Sequence, residues 1–190
     1  LKKASKLDVR LICPLHAHLW RRDFDQILGR YAKWASYEPE LRSVAIFYGS
    51  VYGHTANAAD ILSRQLAELG VRDVRVYDSS KTDVSELISR AFQYSHLAFA
   101  SSTYNMEIFD GMRDLLLDLG NHGFSKRTVG VIYNGSWAPA AGKLMLAQLE
   151  AAKDVEVLEP VVHLASSVKE ETVGELDALA HALAASVRGE

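Results

Sequence analysis

Cysteine is all but absent from this chain. The lone Cys13 excludes an internal disulfide and a Cys-rich metal site, and such sparing use of thiols suits a reducing compartment. Long apolar runs are missing too. The longest are strand-length, far short of the roughly 20 residues that span a bilayer. No basic-then-apolar leader with a small-residue cleavage site opens the sequence, so it predicts a soluble, cytoplasmic protein without a membrane partner. There is no internal repeat and no low-complexity segment. A basic stripe is lacking as well: the net charge is −3, and residues 42–190 carry 13 Lys/Arg against 19 Asp/Glu. An acidic body of this kind argues against nucleic acid as a partner. Residues 1–41 differ, with 8 Lys/Arg against 5 Asp/Glu, which hints that the two stretches have different origins.

What remains is an ordinary globular composition, 48% hydrophobic and 24% charged over 190 residues, enough to bury one sizeable core. From Ser43 onward, apolar runs alternate with amphipathic patterns. Val44-Ala-Ile-Phe-Tyr48 is continuous, as a strand buried on both faces should be. Val74-Arg-Val-Tyr77, Leu97-Ala-Phe-Ala100 and Val129-Gly-Val-Ile-Tyr133 follow, and a fifth strand lies within Val155–His163, its limits blurred by Pro160. Between them helical spacing recurs. Ala58, Ile61, Leu62, Leu66 and Leu69 share a face with Gly70 as the stop, and Val84, Leu87, Ile88 and Ala91 follow Asp83 as cap. Met112, Leu115, Leu116 and Leu119 run to Gly120, then come Leu144, Met145, Gln148 and Leu149, and finally Val173, Leu176, Ala180, Leu183 and Val187. Five βα units in series predict an α/β fold, a parallel sheet with helices on both faces.

Residues 1–41 do not join that rhythm. Val9-Arg-Leu-Ile-Cys13 reads as a strand, Asp23–Trp34 as a helix and Ser36-Tyr-Glu-Pro-Glu40 as a linker. A lone strand and helix cannot bury enough apolar surface to stand alone. The expected division is therefore 1–41, the tail of something larger plus a linker, and 42–190, the α/β domain.

In open parallel sheets ligands bind beyond the carboxyl ends of the strands, where strand order reverses. The first such loop is Gly49-Ser-Val-Tyr-Gly-His-Thr55. Its glycines permit close backbone approach, Ser50 and Thr55 add hydroxyls, and the following helix offers free N–H groups and a positive dipole end. Neither the G-x-G-x-x-G dinucleotide fingerprint nor a P-loop lysine is present, so a monophosphate held by neutral hydrogen bonds fits best. An ordinary βα turn capped by Thr55 is the plain alternative. The second loop, Ser101-Ser-Thr-Tyr-Asn-Met-Glu-Ile-Phe109, supplies an amide and an aromatic face, which a flat heteroaromatic ring needs; a capped loop with Tyr104 as a surface aromatic reads equally well. The third, Tyr133-Asn-Gly-Ser-Trp-Ala-Pro-Ala-Ala-Gly-Lys143, carries Trp137 just past a turn signal, where it either meets a ligand or packs on a helix. All three positions converge on one planar, phosphate-bearing ligand.

Phe47-Tyr-Gly-Ser-Val-Tyr-Gly-His-Thr55, Thr103-Tyr-Asn105 and Asn134-Gly-Ser-Trp137 resemble the three FMN loops of the flavodoxin-like domain of the flavodiiron (A-type flavoprotein) family. Pro14-Leu-His16, Trp20-Arg21 and the Tyr31-x-x-Trp34 helix resemble the closing segment of that family's metallo-β-lactamase-like diiron domain. The resemblance implies a flavodoxin-like, doubly wound, five-stranded parallel sheet of order 2-1-3-4-5. It implies non-covalent FMN, its phosphate held by Ser50, Val51, Tyr52, Gly53, His54 and Thr55. Thr103, Tyr104 and Asn105 would line the ring and ribityl chain, and Asn134, Gly135, Ser136 and Trp137 would complete the ring pocket, with Trp137 stacking. It further implies an electron-transfer module without catalytic residues of its own. That module would take electrons from a redox protein such as rubredoxin, or from a reductase, and relay them to the diiron centre of an oxygen or nitric oxide reductase. A head-to-tail homodimer is the family's usual assembly.

Two departures stand out: Met106-Glu107 where small residues are common, and Asp110-Gly111 in place of a frequent proline. His16 matches the family's last iron ligand, but the other ligands have no counterpart, and one ligand does not assemble an iron site. No metal is therefore expected here. His122, His163 and His181 receive no role. Two rival readings share the fold. An FMN oxidoreductase acting directly on a nicotinamide or quinone would share the loops as well. A flavin-free signalling receiver would need carboxylates where Tyr48-Gly49-Ser50 and Ser101-Ser102-Thr103 stand.

Overall fold

Strand β1 (Leu41–Gly49) sets the architecture. Val44 and Ile46 enter one core, Ala45 and Phe47 the other, and all four are fully buried. That is why the run is apolar without alternation. The computed structural model describes residue 3 and residues 6–190. In chain order the elements are α1 (Phe24–Ser36), β1, α2 (His54–Glu68), β2 (Arg75–Asp78), α3 (Val84–Gln93), β3 (Tyr94–Tyr104) and β4 (Glu107–Ile108). There follow α4 (Asp110–Asn121), β5 (Ser125–Asn134), α5 (Ala140–Glu150), β6 (Lys153–Val157), β7 (Val162–Leu164) and α6 (Glu170–Arg188).

The sheet runs β2-β1-β3-β5-β6, parallel throughout, with β7 continuing alongside β5 past the end of β6. This is the flavodoxin-like order 2-1-3-4-5. The sheet has seven strands rather than five, for two local reasons. Pro160, which has no N–H to give a ladder, falls between β6 and β7 and splits the fifth strand. The chain after β3 also doubles back as β4, antiparallel to it.

Helices α2 and α6 cover one face through Leu62, Leu66, Leu176 and Leu183, and α3, α4 and α5 cover the other through Leu87, Met112, Leu115 and Met145. Stacked rings of Phe47, Phe99 and Tyr77 tie β1, β3 and β2 across the second face at 5.4–5.6 Å. Each such burial stabilises by roughly 1.5–3 kcal/mol. The Asp83 carboxylate caps α3 by accepting from Ser85 N at 2.9 Å. Gly70 (φ +83) ends α2, with Val71 N donating to Leu66 O and Gly70 N to Ala67 O, both at 3.0 Å. The end of α4 corrects the sequence expectation. Gly120 lies inside the helix, and Gly123 (φ +71) makes the same double-bonded stop.

The expected strand at Val9–Cys13 shrinks to one bridge between Ile12 and Trp20. Cys13 is exposed, and α1 buries none of its residues. The 36–40 segment is nonetheless strapped to the amino end of the sheet. Lys126 Nζ donates to Ser36 O at 2.9 Å, Arg127 donates to Tyr37 O at 2.7 Å and to Phe92 O at 2.6 Å, and the Tyr37 ring lies 5.9 Å from that of Phe92. Arg127 is buried among carbonyls, and burial pushes its pKa down to about 10. It stays cationic at neutral pH and meets the carbonyl end of α3, where the helix dipole favours positive charge. Among the described residues no helix is long and apolar enough to cross a membrane.

Candidate functional site

Three loops and a strand end meet at the carboxyl edge of the sheet around a cavity of about 350 Å³. Its lining comprises Val51, Tyr52 and His54 after β1, and Ser102, Thr103 and Tyr104 at the end of β3. Asn134 at the end of β5, Gly135, Ser136 and Trp137 after it and Ser166 after β7 complete it. The predicted residues Ser50, Gly53, Thr55 and Asn105 are not among the lining residues: Thr55 is buried beneath them, whereas Gly53 and Asn105 are exposed in turns beside them.

Ser50 Oγ accepts from Gly53 N at 3.0 Å and closes the first loop on itself. Gly53 adopts φ +88, a conformation that favours glycine, and turns the chain into α2. No side chain caps this helix. The first N–H groups, from His54 onward, therefore point out of the helix with no intrahelical acceptor. This uncapped amino end is a cradle for an anion. The cavity's lining contains no lysine, arginine or carboxylate, and His54 is its one basic residue, so backbone N–H groups, hydroxyls and the dipole are the main means of holding an anion there. Gly49 plays another part than the one expected. A Cβ there would stand 2.6 Å from the Phe109 ring and 3.2 Å from Ser79 Oγ, so its smallness serves packing behind the loop.

The second region is strand where the sequence suggested loop. Ser101 to Tyr104 continue β3, and Asn105 (φ +50) and Met106 (φ +63) form a two-residue turn into β4, with Tyr104 opposite Glu107. Two left-handed residues are the signature of a type I′ hairpin turn. The Tyr104 ring packs edge-on against Phe109 at 6.4 Å. In the third region Trp137 is 91% exposed, and Tyr52, in the same lining, is 87% exposed. Large aromatic surfaces left bare beside a cavity are what a planar ligand would cover.

The loops are joined from below. Thr55 Oγ1 lies 2.9 Å from Ser102 Oγ, and Asn134 Nδ2 donates to Thr55 Oγ1 at 3.3 Å. Thr103 Oγ1 accepts from Ala141 N at 3.2 Å, tying β3 to the start of α5. His163, given no role by the sequence, stacks on Tyr133 at 4.6 Å and bonds Gly135 O through Nε2 at 2.9 Å. Ser166 was also missed. Both follow from a strand end that sequence could not place, although the small residues Ala165-Ser166-Ser167 directly after β7 were a usable signal.

At the neighbouring strand ends Tyr48 donates to Asp78 Oδ2 at 3.2 Å. Burial and that carboxylate raise the Tyr48 pKa. Burial raises Asp78 in turn, yet the Ser80 hydrogen bonds and Lys81 outweigh it and hold Asp78 below its usual range. Neither residue lines the cavity. His16 is exposed, and the described residues hold no group of three His, Cys, Asp or Glu that could bind a metal.

The sequence pattern of the flavodoxin family matches residues 46–185. The chain belongs to that family. This flavodoxin domain is 28% identical over 155 residues to a nitric oxide reductase of Moorella thermoacetica, covering 81% of this chain and 38% of that protein. It is 24% identical over 154 residues to the anaerobic nitric oxide reductase flavorubredoxin of Aeromonas hydrophila, covering 80% of this chain and 31% of that one. Among solved structures, rubredoxin oxygen:oxidoreductase from Desulfovibrio gigas superposes with a TM-score of 0.88 at 18% identity, over 99% of this chain and 47% of that one. A flavodoxin from the Archaea gives 0.66 at 18% identity, over 77% of this chain and 99% of its own. The chain thus spans less than half the length of the flavodiiron relatives it matches. The cofactor implied by the family is FMN, and the site suits it: an uncapped helix end for the phosphate, and bare aromatic faces beside a cavity for the ring.

Proposed function

We propose that this flavodoxin domain is the electron-transfer module of a flavodiiron oxygen or nitric oxide reductase, passing electrons from a redox protein to a diiron centre that lies outside this chain. The observation that carries the reading is the meeting of the start of α2 with the ends of β3 and β5, pinned together at Thr55, around one cavity with an uncapped helix end at its edge. FMN, when bound, supplies one- and two-electron chemistry. The protein contributes binding, orientation and shielding from water. On this reading Ser50, Val51, Tyr52, Gly53, His54 and Thr55 hold the phosphate, Ser50 and Gly53 by shaping the loop. Thr103, Tyr104 and Asn105 border the ring and ribityl chain, and Gly135, Ser136 and Trp137 close over the ring with Asn134 beneath them.

The domain division at residue 41 is supported by two matches: the family pattern begins at residue 46, and a free-standing archaeal flavodoxin is covered almost in full by 77% of this chain. Residues 1–41 then belong to the preceding diiron domain. The electron donor would be rubredoxin or a reductase, the assembly a head-to-tail homodimer, and the compartment a reducing cytoplasm, which suits the exposed Cys13 thiol.

Purified protein titrated with FMN should quench its fluorescence with micromolar or tighter affinity and turn yellow. The same preparation should show no turnover with oxygen or nitric oxide. Absence of quenching would overturn the reading. Steady oxidation of a nicotinamide or reduction of a quinone by the purified chain would favour a self-contained FMN oxidoreductase instead.

A further inference from the structure

The loop after β7 is a fourth wall of the cavity, and its construction centres on Ser166. This residue adopts φ +80, a region that L side chains rarely occupy and that survives only when the surroundings impose it. Here the imposing group is the Asn134 side chain. Its Nδ2 donates to Ser166 O at 2.9 Å, and its Oδ1 accepts from Ser166 N at 3.1 Å. Both backbone groups of Ser166 are therefore consumed by one amide. The same Nδ2 reaches Thr55 Oγ1, so the clamp extends to the second residue of α2. Asn134, although it borders the cavity, spends three hydrogen bonds on the protein and acts as a brace.

The brace fixes the backbone of Ser166 and leaves its side chain, which is exposed, at the cavity. Ser166 lines the cavity, and no described residue takes its hydroxyl. Through Asn134 it is coupled to Thr55, at the uncapped end of α2 that forms the anion cradle. We propose that Ser166 is a cofactor-binding residue, its hydroxyl hydrogen-bonding the polar ribityl-phosphate tail of the flavin, with Asn134 as the positioning residue that presents it. This rests on the FMN reading above and adds a contact from a loop outside the three already assigned.

The test compares Ser166→Gly with the parent protein. Glycine adopts φ +80 freely, so the variant keeps the backbone and loses the CH2OH side chain, whose hydroxyl is its one polar group. Ser167→Ala, one residue on and outside the cavity lining, is the control. Lumiflavin (ring only), riboflavin (ring and ribityl) and FMN are titrated by fluorescence quenching, with thermal melts of the apoproteins alongside. Expected is a loss of about tenfold in FMN affinity for Ser166→Gly, little change with lumiflavin, an unchanged Ser167→Ala, and a melting temperature no lower than the parent's. Equal FMN affinity in Ser166→Gly and parent would overturn the proposal, and so would an equal loss with lumiflavin, which places the contact at the ring. A parent protein that binds no FMN would instead remove the FMN reading and this proposal with it, a result distinguishable because it requires no variant.

Discussion

Thr55 and Ser102 meet hydroxyl to hydroxyl, 2.9 Å apart, beneath the cavity, and Thr55 also accepts from the Asn134 amide. One fully buried side chain thus joins the start of α2 to the carboxyl ends of β3 and β5. Thr55→Val keeps the shape and removes the node, leaving the Ser102 hydroxyl and one Asn134 N–H without that partner. Buried polar groups left unpaired cost about 1–3 kcal/mol. Chemical denaturation should show that loss with an unchanged slope, and FMN titration should show weaker binding. Thr55→Ser, which retains the oxygen, should recover most of both. A Thr55→Val protein as stable and as tight-binding as the parent would remove Thr55 as the node.

The β3–β4 hairpin carries a conflict between residue and conformation. Type I′ turns want glycine at the second central position, and Met106 occupies it at φ +63 with its side chain 61% exposed. A left-handed L-residue costs about 1–2 kcal/mol, and little packing is lost on removing this one. Met106→Gly should stabilise the apoprotein by up to about 1 kcal/mol after the greater entropy of an unfolded glycine is subtracted. A thermal melt reads this as a rise of a few degrees. A lower melting temperature would mean that Met106 packs against something the exposed position does not suggest.

Gly111 and Gly120 lie on the same helix and predict opposite outcomes. A Cβ at Gly111 would stand 2.5 Å from the Ser79 carbonyl oxygen and 2.9 Å from its carbon, both backbone. At Gly120 it would meet nothing within 4 Å. Gly111→Ala should therefore destabilise by about 1–3 kcal/mol through overpacking, whereas Gly120→Ala should stabilise by about 1 kcal/mol through helix propensity. Urea midpoints on both variants check the pair, and matching signs would contradict the packing.

How much of this was legible follows from what each element depends on. The run Val44–Tyr48 could be read because burial on both faces leaves only apolar residues, and α2, α3 and α6 because their stripes keep helical spacing. The end of β3 could not. Ser101, Ser102 and Thr103 have loop-like composition, and only hydrogen bonds across the fold, such as Ser102 with Thr55, make buried strand of them. Gly120 was mistaken for a stop because spacing ends near it, whereas the actual stop depends on the left-handed Gly123 two residues beyond the helix. Ser166 and His163 were invisible for a shared reason: their partners, Asn134 and Gly135, lie some thirty residues away. Trp137, Tyr52 and Tyr104, which line the cavity, could be singled out as candidates because an aromatic near a strand end is conspicuous without any partner.

His96 gives a pH prediction at the opposite end of the sheet. Its Nδ1 lies 2.7 Å from Ser95 Oγ and its Nε2 2.9 Å from Ser186 Oγ on α6, with no carboxylate in either contact. Burial lowers its pKa to about 4 from 6.5, and the Arg42 charge pushes in the same direction. The folded protein therefore keeps this ring neutral while the unfolded chain protonates it. The neutral ring's contribution is complete above pH 6.5 and is lost as pH falls toward 4, at a slope approaching about 1.4 kcal/mol per unit and about 3 kcal/mol in all. His96→Gln preserves a polar side chain that does not titrate. Carboxylates titrate alike in both proteins, so the difference between their stabilities isolates the histidine. Urea unfolding at pH 7, 6, 5 and 4 should show the parent losing stability faster than His96→Gln, the gap narrowing or reversing by about 3 kcal/mol across the series. Parallel curves would mean that His96 is protonated in the folded state as readily as in the unfolded one.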